Sequence, residues 1–385
     1  MLSQKTLDLA PLITHRFDLT DALKAYETVG NKEGIGIVIQ YPSDNHKLDA
    51  KSLVRSIDLK TEARSSSGKV HCSVIGAGNF TRQVLLPAFS QTSARLHTIV
   101  SSGGVTASDL GRKFKFERAS TDAGEILQDK SSNLLVVTTR HNTHASFVRD
   151  AIQCDKAVFV EKPLCLSRAE LEAIVEDYQA AKEPFVMVGS NRRFAPLVET
   201  MASLIRAKSE VKSFIYTVNA GYIPPDHWTQ DPDVGGGRLL GEGCHFIDLL
   251  RFLAGSCIDA AKVSFTNPTG VDTQDTFSIQ MTFEDGSIGN VHYFANGSKS
   301  FPKERLEVFC GEGVLQLDNF RTLQGFGWNG FSKQKSGGQD KGHNAELKAV
   351  VDALEQGKPA PIPFDEIVEV TDVSLALVES GKYSR

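Results

Sequence analysis

Residues 70–81 read V-H-C-S-V-I-G-A-G-N-F-T, so a short apolar run enters a turn with glycine at positions 76 and 78. The stretch 82–89 that follows is predicted to be helical. In a dinucleotide fold the first glycine permits a tight turn, the second lets a pyrophosphate approach the backbone, and the helix start offers unpaired N–H groups. The order of strand, glycine turn and helix therefore predicts a nucleotide-binding unit, although Thr81 stands where a third glycine would pack the helix more closely.

The alternation of strand and helix continues to residue 190. Four further apolar runs are predicted to be strands, at 96–100, 134–139, 157–160 and 185–188. Helices are predicted between them at 107–114, 144–153 and 167–181, the last with Ser167 as N-cap and Glu170 three residues on. This pattern predicts an α/β fold, with a Rossmann dinucleotide-binding domain over residues 69–190 and helices on both faces of a mostly parallel sheet.

Residues 191–385 have a different pattern. Apolar and polar residues alternate, as in Phe277-Ser278-Ile279-Gln280-Met281, which is typical of an antiparallel sheet with one covered face. Strands are predicted at 213–219, 276–283, 288–294 and 306–309, and helices at 197–206, 344–354 and 364–377. The prediction is an α+β domain with a large, mostly antiparallel sheet.

The first 60 residues hold one predicted helix, at 19–29, and one predicted strand, at 35–41. These two elements are too few to bury a core of their own. The stretch 11–41 resembles the C-terminal tail of medium-chain, zinc-type alcohol dehydrogenases, which implies a remnant of a two-enzyme fusion; a family-specific extension is the alternative. Residues 61–68 are small and polar and are predicted to be a linker.

Composition excludes several classes of protein. The chain has 385 residues, of which 41% are hydrophobic and 23% charged, an ordinary globular balance. A net charge of -5 argues against a nucleic-acid-binding protein, and the absence of a long apolar run argues against a membrane protein. Six cysteines without a C-x-x-C pair predict reduced thiols and a cytoplasmic location.

The tripeptide Glu161-Lys162-Pro163 directly follows a predicted strand. A lysine at the carboxyl end of such a strand can orient a substrate hydroxyl and stabilise a developing alkoxide, although a solvated loop lysine is the simpler alternative. The tripeptide after a Rossmann unit resembles the signature of the glucose–fructose oxidoreductase / inositol dehydrogenase (Gfo/Idh/MocA) family. Upstream, Thr139-Arg140-His141-Asn142-Thr143-His144 stands where that family has T-P-N-x-x-H. The resemblance covers residues 69–382.

This resemblance implies NAD or NADP as cofactor, an open sheet face used in homo-oligomer contacts, and a catalytic Lys162. The predicted cofactor contacts are Gly76, Ala77, Gly78, Asn79, Phe80, Ser101, Ser102, Thr139, His141, His144, Glu161 and Lys162. The pair His141-x-x-His144 has metal-ligand spacing, but no carboxylate or thiolate lies near it in sequence, so no metal is expected.

The ribose end of the cofactor is less well specified. The acidic residue that usually follows the second strand is absent, and Ser101 and Ser102 occupy its place. Because no carboxylate would repel a 2′-phosphate, and because Arg112 and Lys113 lie on the next helix, the sequence slightly favours NADP over NAD.

The segment 227–255 contains a candidate general base. Three glycines, at 235–237, precede a predicted helix that carries His245 and Asp248 on one side. His245 is the natural candidate for a general base, and in the family pattern G-G-G…D-x-G-x-H this histidine is the catalytic acid/base. Here Gly241 replaces the aspartate, which removes the usual partner carboxylate, and Glu242 could substitute for it from a loop.

Together these features predict an NAD(P)-dependent oxidoreductase that acts on a hydroxyl or ketone of a sugar or nucleotide-sugar. The predicted substrate contacts are Arg193, Tyr222, Trp228 and Asp248. Two other classes remain open: a glycosidase or lyase that oxidises its substrate only transiently, and a non-catalytic nucleotide-binding protein.

Overall fold

The computed structural model describes residues 8–41, 54–59, 69–181, 184–266 and 275–385, so the predicted linker lies outside the described residues. The chain divides into two compact units, residues 1–55 and 56–385. The predicted boundary was residue 60; it falls earlier because Ser56–Asp58 pairs with a strand of the second unit.

The first unit is a strand–helix–strand motif. It consists of β1 (Ile13–Asp18), α1 (Ala22–Gly30) and β2 (Gly36–Gln40), and the two strands are parallel. The predicted helix and strand correspond to α1 and β2, whereas β1 was not predicted. Ala25 is the one buried apolar residue among the described residues of this unit. The likeness of this segment to an alcohol-dehydrogenase tail stays a prediction.

The Rossmann region contains a seven-stranded sheet within the described residues. Its elements are β3 (Ser56–Asp58), β4 (His71–Ile75), α2 (Leu86–Phe89), β5 (Arg95–Val100), α3 (Val105–Phe114), β6 (Arg118–Ser120), α4 (Ala123–Gln128), β7 (Leu134–Val137), α5 (His144–Gln153), β8 (Ala157–Val160), α6 (Arg168–Ala180) and β9 (Val186–Val188). The strand order is β3-β6-β5-β4-β7-β8-β9, and every pair except β3–β6 is parallel.

The strand order reverses direction at β4, whose neighbours are β5 and β7. In open α/β sheets ligands bind outside the carboxyl ends of the strands at such a switch point. The central strands are buried on both faces, β7 completely, as their continuous apolar sequences require. The predicted Rossmann domain is confirmed.

The second region is built on a nine-stranded sheet among the described residues. Its elements are α7 (Pro196–Arg206), β10 (Ser213–Asn219), α8 (Cys244–Ala254), β11 (Ile258–Phe265), β12 (Phe277–Phe283), β13 (Ile288–Phe294), β14 (Glu304–Cys310), β15 (Gly313–Asp318), β16 (Thr322–Phe326), β17 (Lys333–Lys335), α9 (His343–Glu355), α10 (Phe364–Ser380) and β18 (Lys382–Ser384). The order is β17-β16-β15-β14-β10-β13-β12-β11-β18, and only β10 and β13 are parallel neighbours in it. The predicted mostly antiparallel sheet is confirmed.

Alternate residues of this sheet are buried against helices α7 and α8. Leu347, Val350 and Val351 of α9 instead pack into the Rossmann core, so the two sheets share C-terminal helices. No helix of the described residues is long and apolar enough to cross a membrane.

Candidate active site

The glycine turn after β4 has two glycines with different surroundings. Gly76 has φ +110°, and a Cβ there would lie 2.6 Å from the carbonyl oxygen of Thr138 at the end of β7. A Cβ on Gly78 would meet no atom within 4 Å. The first glycine is thus required by the fold itself, whereas the second leaves an open approach to the backbone at the switch point.

Thr81, the residue in place of a third glycine, ties this turn together. Its hydroxyl donates to the carbonyl oxygen of Gly76 over 3.0 Å and lies 2.8 Å from Oγ1 of Thr138. A π-helical turn begins at Thr81 and continues into α2. The sequence predicted looser packing here; the structure instead shows that the hydroxyl clamps the turn to the neighbouring strand.

The other predicted contacts of the turn lie around this opening. Ala77 packs partly on the core, and Asn79 and Phe80 are exposed, with the Phe80 ring 5.9 Å from the ring of His343. Ser101 and Ser102 follow β5 at the same edge of the sheet. The open space at the glycine and the free N–H groups at the helix start fit the diphosphate of a dinucleotide. The small hydroxyl side chains fit its ribose.

Arg112 and Lys113 do not support the slight preference for NADP. Both lie in the last turn of α3, whereas the ribose edge faces the start of that helix. Arg112 is seven positions after Val105 in the helix, a rise of about 10 Å. The Lys113 ammonium lies over the adjacent Phe114 ring.

Lys162 lies directly after β8 at the carboxyl edge of the Rossmann sheet. Its Nζ donates a 2.6 Å hydrogen bond to the carbonyl oxygen of Gly241. Gly241 belongs to a π-helical turn, Leu239–Gly243, that leads into α8. The hydrogen bond therefore joins the end of a Rossmann strand to the helix that carries His245.

His245 is neutral in this environment. Burial, and then the positive charges of Arg192 and Lys162, lower the pKa of His245 well below its usual range. Its Nδ1 is buried and has no hydrogen-bond partner in the described part of the chain. An imidazole that is neutral and unengaged can accept a proton or a hydrogen bond.

Glu242 does not lie on the free surface. Its carboxylate is 3.5 Å from Arg238 and 3.7 Å from Lys303. Burial alone would raise the pKa of Glu242, but Lys303, Arg238 and Lys162 together hold it below its usual value. Glu242 is therefore an anion beside Lys162 that is already engaged by two other cations.

The segment 139–144 contacts both domains. The ring nitrogens of His144 lie 2.7 Å from the carbonyl oxygen of Pro163 and 3.2 Å from that of Thr139, so this buried histidine holds two loops together. Thr139 accepts a hydrogen bond from Thr143. His141 donates from Nδ1 to the carbonyl oxygen of Gly235, 2.7 Å away. Both histidines therefore use Nδ1 for the protein backbone.

The Glu161 carboxylate lies beside Gly189, directly after β9. A Cβ on Gly189 would lie 2.9 Å from an oxygen of this carboxylate. Burial, partly offset by Lys162, raises the pKa of Glu161 to about 7.

Two predicted substrate contacts have a different role. Arg193 and Asp248 form a buried, forked ion pair, with Nη2 2.7 Å from Oδ1, and Arg193 also contacts Glu366 on α10. These groups pair with each other and hold α8 in place, and their contact with substrate stays a prediction. Tyr222 is 62% exposed, and the Trp228 ring packs edge-on against His141 at 4.9 Å.

A second polar cluster next to His245 was not predicted from the sequence. Buried Arg192 lies 2.9 Å from Glu304, which also accepts hydrogen bonds from Tyr216 and Lys341 at 2.6 Å. Burial would raise the pKa of Glu304, but Arg192 and Lys341 hold it well below its usual range. These residues come from separate elements, so no local spacing could have identified them.

Two family models match the chain. One, described as the oxidoreductase family NAD-binding Rossmann fold, matches residues 70–190, and a GFO/IDH/MocA C-terminal domain matches residues 208–316. Together the two models cover more than half of the chain.

Curated relatives and solved structures agree with this match. A myo-inositol 2-dehydrogenase of Thermotoga maritima is 24% identical over 55% of this chain and 64% of its own length. An inositol 2-dehydrogenase of Saccharopolyspora erythraea is 26% identical over 66% of this chain and 74% of its own. An oxidoreductase domain protein from Kribbella flavida superimposes with a TM-score of 0.74 at 21% identity over 82% of this chain and 99% of its own. A levoglucosan dehydrogenase in complex with NADH and levoglucosan superimposes with a TM-score of 0.72 at 19% identity, over 82% of this chain and 99% of its own. The chain belongs to the GFO/IDH/MocA family of oxidoreductases.

Proposed function

We propose that this protein is an NAD(P)-dependent oxidoreductase that interconverts a secondary hydroxyl and a ketone on a sugar or nucleotide-sugar. The observation that carries the proposal is the hydrogen bond from Lys162 to Gly241, which brings a cation at the carboxyl edge of the Rossmann sheet next to the helix of His245. A charge and a neutral proton acceptor beside a dinucleotide cleft are the groups that alcohol oxidation needs.

The residues of the glycine turn would hold the cofactor. The open backbone at Gly78 and the N–H groups that follow it suit the diphosphate, and Ser101 and Ser102 lie near the ribose end. When bound, NAD(P) supplies the acceptor or donor of hydride. Either form of the cofactor is compatible with this site.

The proton is handled by this chain's own side chains. His245 is neutral and would accept the hydroxyl proton in the oxidation direction. Lys162 uses one of its three N–H bonds on Gly241, which leaves two for the substrate oxygen as negative charge develops there. Turnover in the direction of the alcohol would use the same two groups in reverse.

The names of the relatives support a polyhydroxylated substrate. They include inositol 2-dehydrogenases and a D-apiose dehydrogenase, and the solved structures include a levoglucosan dehydrogenase in complex with NADH and levoglucosan. Each of these compounds is a sugar or a sugar-like polyol.

We also propose that the protein forms a homo-oligomer through the open face of the nine-stranded sheet. That face carries half-exposed apolar residues on β10, β13, β14 and β16: Ile215, Ile288, Phe294, Phe309 and Phe326. A cytoplasmic location is proposed from the six free cysteines.

The test is turnover by the full chain with NAD and NADP on a panel of inositols, pentoses, anhydrosugars and nucleotide-sugars. His245→Asn is expected to lower kcat by about 10²–10⁴-fold, as expected for loss of a general acid/base. Lys162→Met is expected to lower it by about 10²–10³-fold because the alkoxide loses its stabilising charge. Neither variant should greatly weaken the calorimetric affinity for the cofactor, because the diphosphate is held by the glycine turn.

Matched controls are His71→Asn, at the amino end of β4, and Lys333→Met, on the edge strand β17. Both are expected to retain wild-type turnover. Equal losses in the control variants would refute the assignment. Product release without net NAD(P)H would indicate transient oxidation by a glycosidase or lyase, and cofactor binding without turnover on the panel would indicate a non-catalytic protein.

A further inference from the structure

The site contains an imidazole at His141 and no side chain at Gly241. Both residues depart from the family pattern, which has asparagine and aspartate at these positions. In the structure the two residues are in contact: a Cβ built on Gly241 would lie 3.2 Å from Cε1 and 3.5 Å from Nδ1 of His141. The same Cβ would lie 3.2 Å from the carbonyl oxygen of Gly235. An aspartate at 241 and the present His141 ring therefore compete for one space.

The His141 ring is fixed in one orientation. A carbonyl oxygen only accepts hydrogen bonds, so the 2.7 Å contact with Gly235 requires the hydrogen on Nδ1. The neutral ring then has its lone pair on Nε2, which has no hydrogen-bond partner among the described residues. The edge-on contact with Trp228 at 4.9 Å restricts the ring further.

The charges around His141 keep it an acceptor. The groups that act on it are Lys162 after β8, His144 at the start of α5 and Glu242 in the turn before α8. Burial and the charge of Lys162 lower the pKa of His141 to about 3, so the ring is neutral across the working range of pH. His245 is neutral for the same two kinds of reason. One cation, Lys162, is thus shared by two neutral imidazoles.

A hydroxyl has a single proton, so the reacting hydroxyl can donate to only one of the two histidines. The other histidine is then available for a second donor on the substrate. Lys162 retains two N–H bonds beyond the one given to Gly241, enough for two substrate oxygens. Adjacent hydroxyls of a sugar ring present two donors on neighbouring carbons.

We propose that the substrate binds as a vicinal diol, with the reacting hydroxyl at His245 and the adjacent hydroxyl donating to Nε2 of His141. His141 is then a specificity residue for the hydroxyl next to the oxidised carbon. This inference rests on the proposed function and adds the substrate class that the site selects.

The test pairs a sugar that is turned over with its deoxy analogues at the carbons that flank the oxidised one. Removal of the critical hydroxyl should lower kcat/KM of the wild type by about 10- to 100-fold, because Nε2 of His141 loses its donor. In His141→Ala the kcat/KM values for the sugar and its deoxy analogue should differ by no more than about twofold. A structural role for His141 would lower both rates and leave their ratio unchanged, which would overturn the proposal.

A reciprocal substitution tests the shared space. Gly241→Asp should impair turnover when His141 is present, and less so when it is combined with His141→Asn, which removes the ring. Equal impairment by Gly241→Asp with and without the ring would contradict the competition between the two side chains.

If no sugar is turned over, the proposed function fails, and binding still tests this inference. Calorimetry on protein saturated with NAD would then compare cyclohexane-1,2-diol with cyclohexanol, which lacks only the adjacent hydroxyl. A preference for cyclohexane-1,2-diol over cyclohexanol that is lost in His141→Ala supports the diol site in the absence of turnover. Equal binding by wild type and variant refutes it.

Discussion

The two glycines of the nucleotide turn are expected to respond oppositely to the same small change. In Gly76→Ala the new methyl group needs φ +110° and lies 2.6 Å from the backbone of Thr138. In Gly78→Ala the methyl group meets nothing within 4 Å. The first substitution should therefore damage the fold, and the second should spare the fold and obstruct the cofactor.

The positive φ at Gly76 costs an L-residue about 1–3 kcal/mol, and overpacking against the backbone of Thr138 adds about 1–3 kcal/mol. Gly78→Ala should change the free energy of unfolding by less than about 0.5 kcal/mol. A methyl group in the path of the diphosphate should weaken cofactor binding at least about tenfold, or about 1.4 kcal/mol.

Urea unfolding and calorimetric titration with NAD and NADP measure the two quantities separately for each variant. The reasoning is refuted if Gly78→Ala binds cofactor as tightly as the wild type does, since the open space would then not be the diphosphate path. It is also refuted if Gly76→Ala unfolds at the wild-type urea concentration.

Three further predictions concern stability, each measured by urea unfolding. Burial raises the pKa of Glu346 well above its usual 4.5, so unfolding releases a proton and wild-type stability falls as pH rises above that value. The free energy of unfolding of Glu346→Gln should match that of the wild type near pH 4.5 and exceed it at pH 8. Equal dependence of stability on pH in the two proteins would refute this. Glu304→Gln leaves Arg192 without its buried counter-charge and should cost about 3–5 kcal/mol, whereas a loss under about 1 kcal/mol would contradict the pairing. A chain starting at Ser56 should keep the stability of the second unit. A chain that also lacks residues 56–68 loses the buried Leu59 and should be about 2–5 kcal/mol less stable. Equal stability of the two chains would show that β3 does not contribute to the fold.

Most of the Rossmann sheet could be predicted because its strands are buried on both faces and are therefore continuous apolar runs. Helix 144–153 was predicted at its observed bounds, and the capping box at Ser167 is present. The strand β6 was missed because Arg118–Ser120 has no apolar pattern and is held by its neighbours β3 and β5. In the second sheet, β15 and β16 were not predicted, although β15 pairs with β14 and β16 pairs with β15.

The candidate site was less predictable because its contacts join residues that are distant in sequence. The i, i+3 spacing of His245 and Asp248 suggested a shared task, but Asp248 pairs with Arg193 on the connection between β9 and α7. Gly241 looked like the loss of a catalytic carboxylate. Its meaning depends on His141, whose ring occupies the adjacent space, and no local pattern shows that contact.

The cations around His245 determine how its protonation depends on pH. Burial lowers the pKa of His245 most, and the positive charges of Arg192 and Lys162 lower it further, so the proton leaves the ring well below pH 6.5. A base is active only when deprotonated, so the rate of oxidation should already be at its plateau at pH 6.5 and fall only at lower pH. Alcohol formation needs the protonated ring and should therefore become steadily slower as pH rises through neutrality. A pH–rate profile for oxidation that instead rises through pH 6.5 to 8 and becomes flat in His245→Asn would show that the surrounding cations do not hold the imidazole neutral. The low proton affinity of His245 would then have to be abandoned, while its role as base would stand.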